Sequence, residues 1–119
     1  LTMPAAFEWA RCGVRVNAVA PGWIASSGMD TYGGAMKALI PTLKQHLPVK
    51  RMGSEAEVSA AIIFLLSPGA SFITGVTLPI DGGAPLGERA FPLEDHDRST
   101  VYNGFHRAVP PEVLRGEEA

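Results

Sequence analysis

The sequence predicts an α/β fold of short parallel strands alternating with helices, and three observations carry that prediction. Residues 14–19 form a nearly uninterrupted β-branched run that stops at Pro21-Gly22, the pattern of a strand covered on both faces. Ser54 and Glu57 stand three apart as a capping box, and they launch residues 58–66, a helix apolar on almost every side. A second short β-branched run, residues 75–80, ends in the turn Asp81-Gly82-Gly83.

Taken in order, residues 1–11 suit a helix with Pro4 in its first turn and Gly13 as its C-terminal cap signal. Cys12, between Arg11 and Gly13, reads as a small packed residue, with no neighbouring histidine to activate it. Residues 23–50 mix Gly, Met, Tyr, Lys and Pro around a short helical pattern at 35–40 that Pro41 interrupts, as expected of a lid or an irregular insertion. Because residues 58–66 leave hardly any polar face, that helix needs cover on a second side. Pro79 places residues 75–80 at a sheet edge, since proline cannot donate to a ladder. From Ala84 onward the character changes. The last 36 residues hold half of the chain's charges, together with Pro85, Pro92, Pro110 and Pro111. The aromatics Phe91, Tyr102 and Phe105 suggest an extension that packs across another surface. The expected division is 1–83 for the folded part, with the lid at about 23–50, and 84–119 for the extended tail.

Bulk properties exclude several classes. At 119 residues the chain can be one domain, and 46% apolar residues suffice for a core. A net charge of −2 offers no footprint for nucleic acid or an anionic membrane surface. No apolar run approaches the roughly 20 residues that span a bilayer, and without a basic n-region followed by an apolar h-region a signal peptide is not expected. One cysteine precludes an internal disulfide framework and suits a reducing compartment, so a cytoplasmic location is expected. The chain opens on Leu1 inside a helical pattern, which is expected of a fragment.

The segments EWA (8–10), GVRVNAVAPG (13–22), RMGSEAEV (51–58), FLLS (64–67), FITG (72–75) and DGG (81–83), in this order, resemble the C-terminal half of a classical short-chain dehydrogenase/reductase. Residues 23–32 and the tail, with Asp95-His96-Asp97 and residues 103–106, are also similar to members of the citronellol dehydrogenase or trans-2-enoyl-CoA reductase type. The resemblance implies the C-terminal half of a Rossmann-like doubly wound parallel sheet: helix, strand, lid, helix, edge strand and tail. It implies NAD or NADP as cofactor, touched here only at its nicotinamide end, by Pro21, Gly22, Trp23, Ile24 and Ser26. Ile24 would meet the carboxamide through its backbone, and Ser26 would assist with its hydroxyl. Physical reasoning agrees in outline, since ligands of open α/β sheets bind at the strands' carboxyl ends and glycine lets backbone approach closely. Trp23, Met29, Tyr32, Met36 and Leu39 are the candidate lid lining, and packing residues are the equal alternative for each. An apolar lid suits a hydrophobic alcohol, carbonyl or enoyl substrate. Family members pair through the equivalents of residues 58–66 and 76–80, so a homo-oligomer is expected there.

Other parts of the family pattern are missing. Gly33-Gly34 and Gly82-Gly83 lack the strand–turn–helix setting of a pyrophosphate loop. The family's tyrosine stands four residues before a lysine, whereas Tyr32 is followed by Met36 and Tyr102 by His106. No catalytic residue is assigned, and the catalytic positions are expected before Leu1. His46 reads as a solvated lid residue and Asp81 as a turn residue. The three adjacent residues Asp95-His96-Asp97 would not converge on one ion, so no metal is expected. The competing expectation is a short non-catalytic protein that associates through its apolar helix and edge strand. Two strands and a few helices cannot cover residues 58–66, so the chain made alone is expected to aggregate or fold in part.

Overall fold

The computed structural model describes residues 1–87, 94–102, 104 and 111–115. Phe91, Pro92, Asn103, Phe105, His106 and Pro110, which the tail reading also used, lie outside them. Helix α1 (Thr2–Trp9) passes through a tight turn at Ala10–Cys12 and ends at Gly13, whose φ of 72° makes the left-handed cap expected there. Pro4 sits in its first turn. Strand β1 (Ala18–Pro21) leads to a two-residue strand β2 (Ile24–Ala25) and helix α2 (Gly34–His46). A second two-residue strand β3 (Gly53–Ser54) runs directly into helix α3 (Glu55–Leu66), and β4 (Thr77–Ile80) follows.

Strands β1 and β4 pair in parallel, Ala18 opposite Thr77 and Pro21 opposite Ile80, while β2 and β3 make a separate parallel pair. Two prolines in a pair of four-residue strands would ordinarily spoil a ladder. Here Ala18 N–H donates to Val76 O at 2.9 Å and Gly22 N–H to Ile80 O at 3.0 Å. Bonds in a ladder alternate along the chain, so the nitrogens of Pro21 and Pro79 face the two outer edges, where no donor is spent on the pair. Asn17 stitches the lead-in of both strands: its Nδ2 donates to Ile73 O at 3.0 Å and its Oδ1 accepts from Val76 N–H at 3.2 Å. Arg15 Nη1 donates to Ile73 O at 3.1 Å, tying the same loop down.

The capping box is formed as the sequence requires. Glu57 N–H donates to Ser54 Oγ at 3.2 Å, and Ser54 N–H donates back to Glu57 Oε2 at 2.8 Å. Helix α3 packs on β1 and buries Ala56 and Leu65, yet Phe64 remains 48% and Leu66 76% exposed, so the predicted second side is open. The radius of gyration, 16.8 Å, exceeds the roughly 13.5 Å of a compact domain of this length.

Several expectations are corrected. The lid's helix is not short or broken: α2 runs 13 residues straight through Pro41. The proline costs one backbone bond, and the packing of Ile40 on a buried cluster holds the helix across it. The strand expected at 14–19 joins a ladder only from Ala18, because the backbone of Val16 turns its N–H to Thr74 Oγ1 and its carbonyl to Gly75 N–H. Nor are both of its faces covered, for Ala20 and Pro21 are exposed. Cys12 is exposed rather than packed, in the turn Ala10–Cys12, none of whose residues is buried. The surface the tail crosses is this chain's own. Arg51 Nη2 donates to Thr100 O at 3.1 Å, Ser54 Oγ to Tyr102 O at 2.6 Å, and Leu114 is fully buried against Ala25 and Met52.

Candidate functional site

Parallel pairing brings the carboxyl ends of β1 and β4 side by side, so the turn Pro21-Gly22-Trp23 lies against Asp81-Gly82-Gly83. A cavity of about 340 Å³ opens there, within the range of small-molecule sites. Trp23 and Ile24 wall one side, Asp81 to Gly83 another, and Leu47, Val49 and Arg51 a third. Asp81 is the local turn residue it was expected to be, its Oδ1 accepting from Gly83 N–H at 2.9 Å.

Gly22 does allow a close approach, but the partner is protein. A Cβ on Gly22 would lie 2.8 Å from Asp81 Cβ and 2.9 Å from Asp81 Cα, so the two turns touch only because this side chain is absent. Gly82 is required twice over, by its φ of 61° and by Val49 Cγ2, which a Cβ would meet at 2.6 Å.

Arg51 and Glu57 form the floor. Their forks pair, Nη1 with Oε2 at 2.8 Å and Nη2 with Oε1 at 2.7 Å, and Arg51 Nε donates to Ser99 Oγ at 2.9 Å. Partial burial raises the Glu57 carboxyl pKa. Hydrogen bonds from Arg51 and Ser54 N–H, the Arg51 charge and the Tyr102 N–H outweigh it, leaving Glu57 below the ordinary carboxylate value. Glu57 is therefore a fixed anion, unsuited to act as a base near neutrality, and Arg51 is spent on holding it.

Of the residues singled out in the sequence, Trp23 and Ile24 line the cavity. Pro21 and Gly22 form the adjoining turn, and Ser26 precedes the turn at Ser27–Thr31, outside the lining and without a side-chain cap bond. Tyr32, Met36 and Leu39 are exposed and outside the lining too, whereas Met29 packs on the cluster of Ala25, Met52 and Leu114. His46 is exposed at the end of α2. His96 Nε2 donates to Pro48 O at 2.7 Å, the tautomer set by Nδ1 accepting from Arg98 N–H. No three His, Cys, Asp or Glu side chains gather as metal ligands, and no helix is long and apolar enough to cross a membrane, among the described residues. Sequence reasoning missed Leu47 and Val49, and treated the Asp81 turn as separate from Pro21-Gly22. The signal available was the strand order, since two parallel neighbours must end at one edge.

The comparisons agree with this geometry. The family profile described as "Enoyl-(Acyl carrier protein) reductase" matches residues 1–85. Galactitol 2-dehydrogenase (L-tagatose-forming) of Cereibacter sphaeroides is 45% identical over 83 residues, 70% of this chain and 32% of that protein. The solved structure of a citronellol catabolism dehydrogenase (AtuB) of Pseudomonas aeruginosa PAO1 is 58% identical, with a TM-score of 0.54 over 70% of this chain and 29% of that one. A putative short-chain alcohol dehydrogenase of Sinorhizobium meliloti 1021 has a TM-score of 0.64 at 34% identity, covering 73% of this chain and 34% of that one. The chain thus spans about a third of the length of these relatives. With a matching profile over most of its residues, relatives that are oxidoreductases and paired parallel strands ending at a cavity, this chain belongs to the short-chain dehydrogenase/reductase family.

Proposed function

We propose that the protein containing this chain is an NAD- or NADP-dependent oxidoreductase. Hydride would pass between the nicotinamide and a small apolar alcohol, carbonyl or enoyl carbon. The observation that carries this reading is the cavity at the joined carboxyl ends of β1 and β4, where an open α/β sheet takes its ligand. Its residues fit the nicotinamide end of the cofactor, with Trp23 presenting an indole and Trp23 and Ile24 forming one wall. The cofactor would supply the hydride chemistry, and the protein orientation and the exclusion of water. Trp23 and Ile24 form that wall, Pro21 and Gly22 would meet the cofactor from the turn beside it, Ser26 adds a hydroxyl beyond it, and no catalytic acid or base is assigned among these residues. Glu57 and Arg51 hold the floor rigid.

Residues 23–50 form the lid over the substrate. Their exposed apolar side chains, Trp23, Tyr32, Met36 and Leu39, suit a hydrophobic substrate better than a polyol. The AtuB relative, named for citronellol catabolism, and the enoyl reductase profile both point to that class. Assembly uses α3 and β4, where Ile62, Ile63, Phe64, Leu66, Val76 and Leu78 stand exposed and would be covered by a second copy. An exposed free thiol at Cys12 suits a reducing cytoplasm. Residues 84–119 follow the family fold as a tail.

The test is titration of the protein, as its source makes it, with NADH and NADPH, reading energy transfer from tryptophan to nicotinamide. Transfer that saturates, and drops in Trp23→Leu while binding by calorimetry persists, supports the reading. No binding of either cofactor refutes it.

A further inference from the structure

Away from the cavity, the best-packed point among the described residues joins the tail to the lid. Leu114 and Met52 are the largest fully buried side chains, both against Ala25, with Met29 and Ile40 packed on them. Met29 and Ile40 flank the two halves of the lid, the turn at Ser27–Thr31 and helix α2. Residue 112 touches the same two halves: its N–H donates to Asp30 Oδ1 at 3.0 Å, and its carboxylate accepts from Lys37 Nζ at 3.1 Å. Further upstream the tail is fastened where the lid ends, by His96 on Pro48 O, and beside α3, by Arg51 on Thr100 O and Ser54 on Tyr102 O.

We propose that residues 111–115 are a latch that holds the lid of residues 23–50 against the fold, so that the tail sets how often the lid opens to exchange substrate and product. The inference rests on the lid reading above. The magnitudes assign the parts. The Lys37–Glu112 pair has both side chains more than half exposed, so it contributes little and chiefly fixes register. Leu114 has no exposed surface, and its removal leaves a cavity under both lid halves. A lid held by one apolar plug opens as a unit when the plug leaves, whereas a lid held by scattered surface bonds frays.

Amide hydrogen exchange on the protein as its source makes it tests the latch, comparing wild type with Leu114→Ala, Leu114→Val and Leu65→Ala. Leu65 is buried on α3, away from the lid, and serves as the control for general destabilisation. The expected result is exchange about a hundredfold faster over residues 29–46 in Leu114→Ala, about fivefold in Leu114→Val, with amides of 58–66 unchanged. Lid amides that exchange as in wild type overturn the proposal, and so does a uniform rise matching Leu65→Ala. If Leu114→Ala fails to fold, the Leu114→Val pattern decides alone. Exchange needs no cofactor, so a failed latch leaves the oxidoreductase reading standing, and failed cofactor binding leaves the latch testable.

Discussion

Replacing Gly22 with alanine probes whether the two strand ends really meet. The added Cβ would lie 2.8 Å from Asp81 Cβ and 2.9 Å from Asp81 Cα, against about 3.5–4.0 Å for carbon atoms at rest. Neither neighbour is the far end of a flexible side chain, so relief requires the turns to part by over half an ångström. That movement pulls on the Gly22 N–H to Ile80 O bond, now 3.0 Å, the last rung between β1 and β4. Overpacking costs about 1–3 kcal/mol, and a weakened rung adds about 0.5–1.5 kcal/mol. The stiffer unfolded chain returns only about 0.4–1 kcal/mol, because Gly22 does not need a left-handed backbone. The net loss is about 1–3 kcal/mol, a fall in the urea midpoint on the order of 1 M. Gly28→Ala is the matched control, since its Cβ would meet only Ser26 Oγ at 3.6 Å, and the midpoint should hold or rise. The assay is equilibrium urea unfolding of both variants in the protein as its source makes it. A Gly22→Ala midpoint equal to or above wild type would refute the packing argument, and the cavity's shape with it.

Two other outcomes follow from the structure. Glu57 has its folded pKa held below the ordinary 4.5, so its contribution is complete above that value and is lost as pH falls through the folded one. Glu57→Gln should therefore be less stable than wild type at neutral pH, with the gap closing as pH drops below about 4.5; thermal melts showing a constant gap from neutral to acid pH would contradict this. The 119-residue chain expressed alone should be aggregated or partly folded, since α3 and both outer sheet edges lack cover. A sharp, cooperative circular-dichroism melt from a monomer would defeat that expectation.

What could be read from the sequence was whatever short-range chemistry decides. Gly13, the Ser54–Glu57 box and the Pro-Gly and Asp-Gly-Gly turns each act within four residues, and each stands where expected. The apolar circumference of α3 likewise announced its open side. Other features depend on contacts far along the chain. Strands β2 and β3 are two residues each, too short for any periodicity, and exist because residue 53 donates to Trp23 O across the fold. Helix α2 crosses Pro41 because Ile40 is gripped by a cluster whose centre, Leu114, is 74 positions away in a tail with no regular pattern. Within residues 23–50, Met29 packs on that cluster while Tyr32, Met36 and Leu39 are exposed, a difference that contacts across the fold decide and local spacing does not.

The placement of the prolines links the fold to its surroundings. In β1 the residues that bond β4 are 18, 20 and 22, and in β4 the carbonyls that accept belong to 76 and its alternates through 80. Pro21 and Pro79 fall on the intervening positions, so each removes a donor from an outer edge and none from the shared ladder. Each outer edge keeps one donor within its strand. Beyond Pro21, β1 still offers Val19 in mid-strand, on the side where the groove between Val16, Ala18 and Ile62 runs against α3. On β4 the proline sits within the strand, leaving Thr77 as the one remaining outward donor of its four residues. The two prolines thus limit further pairing at both outer edges alike. Val76 and Leu78 stand exposed at β4, as Ile62, Ile63, Phe64 and Leu66 do on α3. The ladder thus keeps its donors between the two strands and its prolines at the outer edges, and the carboxyl ends between those edges open on the cavity.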